Sequence, residues 1–153
     1  MKLHATIDIA APPETVWPLV ADPEQMAVWH VRLDSVRRTA TGTVRVGERF
    51  GTTYTMGGRQ GNGQAEVIRC QPPVELTYRH FVKMGARNGY VDEAFELNQV
   101  DAGTRLRQTL DFGHSGMPRA AQAFMWFLSR FGRAVEPGIL EPLKKAAEGS
   151  GVQ

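Results

Sequence analysis

Along the first nine residues, Leu3, Ala5, Ile7 and Ile9 alternate with His4, Thr6 and Asp8. A period of two predicts a half-buried strand. Pro12-Pro13 ends that strand and opens a helix, because proline is tolerated in a first helical turn. Val16, Trp17 and Val20 then recur at helical spacing, with Pro18 expected to distort or shorten the segment. Asp22-Pro23-Glu24-Gln25 supplies a capping residue, a proline at the first helical position and a glutamine three beyond the cap. A second short helix through Trp29 is therefore expected.

From Val31 the text changes to short alternating runs broken by turn residues. Phe50, Tyr54 and Met56 share one parity, residues 63–70 form the next run, and Pro72-Pro73 turns the chain. Val74, Leu76, Tyr78 and His80 make one strand face; Gly89, Val91, Glu93, Phe95 and Leu97 make another. After Asp101-Ala102-Gly103, Thr104, Leu106, Gln108, Leu110 and Phe112 return the chain. Short strands joined by tight turns predict an antiparallel meander. Beyond Pro118, Ala121, Phe124, Leu128, Phe131 and Val135 recur every three or four residues, the stripe of an amphipathic helix. Its pattern continues through Leu140, Leu143 and Ala147, with Gly132, Pro137-Gly138 and Pro142 as expected kinks. The whole reads as one α+β domain over residues 1–148, with a frayed tail at 149–153.

The 153 residues are 42% hydrophobic and 22% charged, ordinary for a globular domain large enough to bury a sizeable core. Net charge is +2, and the arginines are scattered rather than striped, which argues against a nucleic-acid partner. Cys70 is the one cysteine, so neither an intramolecular disulfide nor a thiolate metal cage is expected. The four histidines, His4, His30, His80 and His114, show no ligand spacing on one element, so no metal and no cofactor is called. The N-terminal segment alternates instead of forming an apolar signal core, and no run approaches the ~20 apolar residues of a membrane span. A cytoplasmic address without stable membrane insertion is the expectation.

Four local patterns occur in a telling order: Ala11-Pro12-Pro13-Glu14-Thr15-Val16-Trp17; Asp22-Pro23-Glu24 followed by Trp29; Gln71-Pro72-Pro73-Val74-Glu75-Leu76-Thr77-Tyr78; and Gly103-Thr104-Arg105-Leu106. Together they resemble the START-like (SRPBCC, helix-grip) superfamily of lipid carriers, hormone receptors and polyketide cyclases or dehydratases. The resemblance implies a curved antiparallel sheet of six to seven strands wrapped around a long C-terminal helix, with two short helices after the first strand. It also implies an internal cavity holding a small, largely hydrophobic ligand. The implied family is a container whose contents the fold leaves open.

Strand parity names the candidate lining: Trp29, Phe50, Tyr54, Tyr78, Glu93, Phe95, Gln108, Phe124 and Leu128, with His30 beside the rim. Antiparallel partners across the loop at 83–88 keep a constant sum of numbers. A turn near Gly85-Ala86 sets Tyr78 opposite Glu93; a turn one residue later sets His80 there instead. Either way Tyr78, His80 and Glu93 share a face, and Gln108 falls near Phe95. In an apolar cavity, desolvation is expected to favour neutral Glu93 and neutral His80, which suits proton transfer. The enzyme alternative is a cyclase or dehydratase with Glu93, His80 and Tyr78 as acid/base residues. Against it, Tyr78 can simply pack, Glu93 can pair with an arginine such as Arg69, and His80 can sit solvated at a strand end. Finally, Phe124-Met125-Trp126-Phe127-Leu128 is apolar on every side of a helix, and a homodimer through the Trp126 face is the first expectation for its outer side.

Overall fold

The computed structural model describes residues 1–56, 58–84, 86–131 and 138–149, with the side chains of residues 56, 84 and 128–131 outside that description. The order of elements is β1 (Lys2–Ile9), α1 (Pro13–Ala21), α2 (Pro23–Trp29), β2 (Leu33–Arg37), β3 (Arg49–Met56), β4 (Arg59–Gln71), β5 (Glu75–Met84), β6 (Arg87–Val100), β7 (Gly103–Asp111), α3 (Arg119–Phe131) and α4 (Glu141–Gly149). The strands form one seven-stranded antiparallel sheet in the order β1-β7-β6-β5-β4-β3-β2. Strands β2 to β7 are a continuous meander, and α1 with α2 carries the chain from one sheet edge to the other.

Local chemistry explains the helical crossover. Pro13 opens α1 behind the extended Pro12, and Pro18 sits inside the helix without ending it. A proline there removes one bond, to the carbonyl of Glu14 on the exposed side, where water can serve it. Asp22 caps α2, its carboxylate accepting from the Glu24 N–H at 3.1 Å, with Pro23 in the first turn. At the far end of the sheet the turn between β6 and β7 needs Gly103: its φ is +141°, and a Cβ there would stand 2.1 Å from the Ile9 carbonyl oxygen.

The core lies on one face of the sheet, here called the inner face. Leu76, Tyr78, Phe95, Leu97 and Leu106 are closed over by Val16, Val20, Met26 and Trp29 of α1 and α2 and by Leu143 and Ala147 of α4. Two buried hydrogen bonds fasten the crossover to this layer. The Tyr78 hydroxyl donates to the Val20 carbonyl at 2.7 Å, and the Trp29 indole N–H donates to the Leu19 carbonyl at 2.6 Å.

Several of the scattered arginines find acidic partners, in two different settings. On the outer face Arg49–Glu66, Arg69–Glu75, Arg79–Asp92 and Arg105–Asp8 pair locally, solvated contacts that each contribute little. Arg38 differs: its side chain is 1% exposed and bonds to Glu48 and the Gly42 carbonyl, with Asp22 at 3.5 Å. It ties the loop before β3 to the cap of α2.

The C-terminal region departs from expectation. In place of one long helix gripped by the sheet there are α3, of thirteen residues, and α4, of nine. Gly138, with a φ of +100°, begins a turn at residues 138–140 that leads into α4, and Pro142 stands in the first turn of α4 rather than kinking a longer helix. Of the expected kinks, Gly132 and Pro137 lie outside the described residues. Among the described residues α4 packs into the core, against β1, α1 and α2.

Candidate functional site

The register of the β5–β6 hairpin decides which polar groups meet. Tyr78 is directly opposite Glu93, Glu93 opposite Leu110, Phe95 opposite Gln108, and His80 opposite Val91. The first of the two registers considered above therefore holds. All four polar residues project from the inner face, on β5, β6 and β7.

Glu93 is 3% exposed and is the centre of the cluster. Its Oε2 lies 2.9 Å from Nε2 of His80, and its Oε1 accepts from the Gln108 amide at 2.5 Å. Nε2 of His30, the residue that ends α2, stands 3.8 Å from Oε1. Burial pushes the Glu93 carboxyl up, but the imidazoles of His30 and His80 together outweigh it and hold the group well below the ordinary carboxylate range. His80 acts through a direct hydrogen bond; at 3.8 Å His30 is beyond ordinary hydrogen-bond length and acts through its nearby dipole or charge. The expectation of a neutral Glu93 is thus overturned, because desolvation was weighed without the donors that the tertiary fold brings. Nor is the partner an arginine: Arg69 pairs with Glu75 on the outer face.

The other candidates fall into three groups. Trp29, Phe50, Tyr78 and Phe95 are buried together in edge-to-face contacts, with centroids 5.8 to 6.5 Å apart. They are a packed aromatic floor beside Glu93. Burial, reinforced by the Glu93 charge, pushes the Tyr78 phenol well above its ordinary range, and its hydroxyl is engaged by Val20. Tyr54 is half-buried near the β3–β4 turn, its ring laid so flat that a Cβ on Gly61 would meet it at 2.8 Å. Phe124 was expected to face the sheet but is 62% exposed on α3. The side chain of Leu128 lies outside the described residues.

Towards Tyr54, His80, Val82 and Leu110 the inner face is half-buried, in contrast with the closed part under α4. His80 keeps 26% of its side-chain surface and His30 keeps 17%, so the buried carboxylate is reached from this open part through the imidazoles. Two open depressions, of about 650 and 810 Å³, lie elsewhere: their walls are largely outward-facing residues such as Arg37, Gly51 and Gln64, and neither includes His30, His80, Glu93 or Gln108. Among the described residues no group of three or more histidine, cysteine or acidic side chains is placed to hold a metal ion.

A single sheet with a two-helix crossover and a polar cluster on its inner face fits one family model, described as polyketide cyclase / dehydrase and lipid transport, which matches residues 1–148. The chain belongs to that family. A solved protein from Nitrosomonas europaea is similar over 100% of this chain and 97% of its own, with a TM-score of 0.71 and 16% identity. One from Mesorhizobium loti covers 99% and 100%, at 0.69 and 18%. The Aha1 dimer from Colwellia psychrerythraea covers 97% and 96%, at 0.62 and 19%. At these identities the likeness is one of fold. No curated protein matches the sequence.

The pieces that sequence reasoning missed are contacts rather than residue types. His30 entered only as a rim candidate; its role follows from the end of α2 being turned towards Glu93 by the caps and bonds described above. Arg38 was not singled out among the scattered arginines. The signal that could have marked it was the nearby pair Asp22 and Glu48, legible only once the loop before β3 is folded back.

Proposed function

We propose that this protein binds a small, largely apolar molecule over the open part of the inner face. The observation that carries the proposal is the His80–Glu93–Gln108 cluster with His30, set at the border between a packed aromatic floor and a half-buried sheet surface. A buried ionised carboxylate held by donors fixes the imidazole that faces the open surface, and small-molecule sites typically combine apolar walls with a few placed polar groups. Family membership supports the same reading. Native mass spectrometry of gently purified protein tests it: an extra mass that is lost on denaturation is the expected result. A clean apo mass together with no uptake of apolar probes would sink it.

A second reading, favoured specifically by the 2.9 Å His80–Glu93 contact, is an acid/base enzyme of the cyclase or dehydratase type. On that reading Glu93→Gln abolishes turnover and leaves ligand affinity nearly unchanged. Assembly is a separate proposal: a homodimer through the α3 face that carries Trp126, by analogy with the dimeric Colwellia relative. Sedimentation of wild type against Trp126→Ala tests it, unchanged assembly counting against it. No helix among the described residues is long and apolar enough to cross a membrane.

A further inference from the structure

The hydrogen bonds around Glu93 determine more than its charge. Oε1 already receives the Gln108 N–H, and both imidazoles approach through Nε2. An ionised carboxylate can only accept, so the Nε2 of His80 carries a hydrogen. His30 is held in the same tautomer independently, because its Nδ1 accepts from the Arg32 backbone N–H at 3.3 Å. The Tyr78 hydroxyl donates to Val20 and the Trp29 indole N–H to Leu19, while Nε2 of His30, 3.8 Å from Oε1, is a second and more loosely held donor facing the carboxylate. Nδ1 of His80, on a side chain 26% exposed, has no hydrogen-bond partner among the described residues. In the neutral ring with Nε2 protonated, that atom presents a lone pair.

We propose that Nδ1 of His80 is the atom that meets the ligand, and that the ligand is a neutral molecule offering an O–H or N–H donor on an apolar body. Alcohols, phenols and enols fit; carboxylates do not. Glu93 and Gln108 are positioning residues that act through the imidazole. An anionic ligand would bring its charge up to a buried carboxylate, and a like charge at low dielectric is strongly unfavourable. The buried guanidinium of Arg38 offers no relief, being taken up by Glu48 and Asp22. The inference rests on the ligand-binding reading and names the ligand class for it.

Four matched probes test it on the full chain: 1-naphthol, 1-methoxynaphthalene, naphthalene and 1-naphthoate. The expected order places 1-naphthol tightest, about five- to tenfold over 1-methoxynaphthalene, the scale of one net hydrogen bond, and 1-naphthoate weakest. In His80→Phe the naphthol preference disappears while naphthalene affinity changes by no more than about threefold, since the ring volume is kept. Equal binding of naphthol and its methyl ether to the wild type, or tightest binding of naphthoate, overturns the proposal. Failure of all four probes overturns the ligand-binding reading and this inference with it. Nitrogen NMR of the ring needs no ligand and separates the two: His80 is expected protonated at Nε2 and bare at Nδ1, and the opposite tautomer overturns the assignment whatever the probes do.

Discussion

The two C-terminal helices make an instructive pair. Both α3 and α4 have an apolar stripe at helical spacing, and they follow one another in the chain, yet their described side chains lie in opposite environments. Leu143 and Ala147 of α4 are fully buried against β1, α1 and α2, while Phe124 of α3 is 62% exposed and Phe127 52%. Amphipathicity states that a helix has a face to bury; it does not state what will bury it. The same contrast runs along the inner face of the sheet, closed where α4 lies and half-buried towards Tyr54 and Leu110. The Glu93 cluster sits on the line between the two regimes.

The largest expected effect breaks the closed side. Leu143→Ala removes a side chain with no exposed surface and should cost about 2–5 kcal/mol in urea unfolding. A value below about 1 kcal/mol would mean that α4 does not seal the core. Next comes the border. Glu93→Leu leaves the His80, His30 and Gln108 donors without their acceptor and should cost about 1–3 kcal/mol. The double variant with Gln108→Leu should cost less than the sum of the two singles, because the partners act together; strict additivity would deny the cluster its coupling.

Acid titration sharpens the same point with a defined sign. The folded Glu93 carboxyl is held below its ordinary value of about 4.3, so the unfolded chain takes up the proton first as pH falls. Its contribution to stability is complete above about pH 4.3 and is lost as pH drops towards the lower folded value. Unfolding of wild type and Glu93→Gln across pH should therefore show a gap that narrows in acid, whereas a constant gap would contradict an ionised, stabilised carboxylate. The smallest effect belongs to the open side. Phe124→Ala should change stability by no more than about 0.5 kcal/mol, as surface substitutions do. A loss like that of Leu143→Ala would show α3 packed by its stripe after all, and would erase the comparison.

Much of the fold was legible in the chain because the signals are local. The alternation of Leu3 to Ile9, the Asp22-Pro23 cap and the turn at Asp101-Ala102-Gly103 each depend on neighbours within a few residues, and each became the element expected. Pro18, expected to distort or shorten its segment, does not end α1, which runs on to Ala21, since a single missing bond on the exposed side is tolerated. The shared face of Tyr78, Glu93, Phe95 and Gln108 followed from parity, and only the turn position was left to choose between registers.

What the sequence determined by itself was therefore periodicity: which residues form strands, which faces are apolar, and that Tyr78, His80 and Glu93 stand on one face. What only the tertiary structure decided was the charge state and surroundings of those residues and the fate of the C-terminal stripe. Ionisation at Glu93 is a balance between burial and donors from His30, His80 and Gln108, which come from 13 to 63 residues away along the chain. The fate of a helix stripe likewise depends on which distant surface reaches it first. Hydrogen bonds and packing act through space, so no window along the chain contains them.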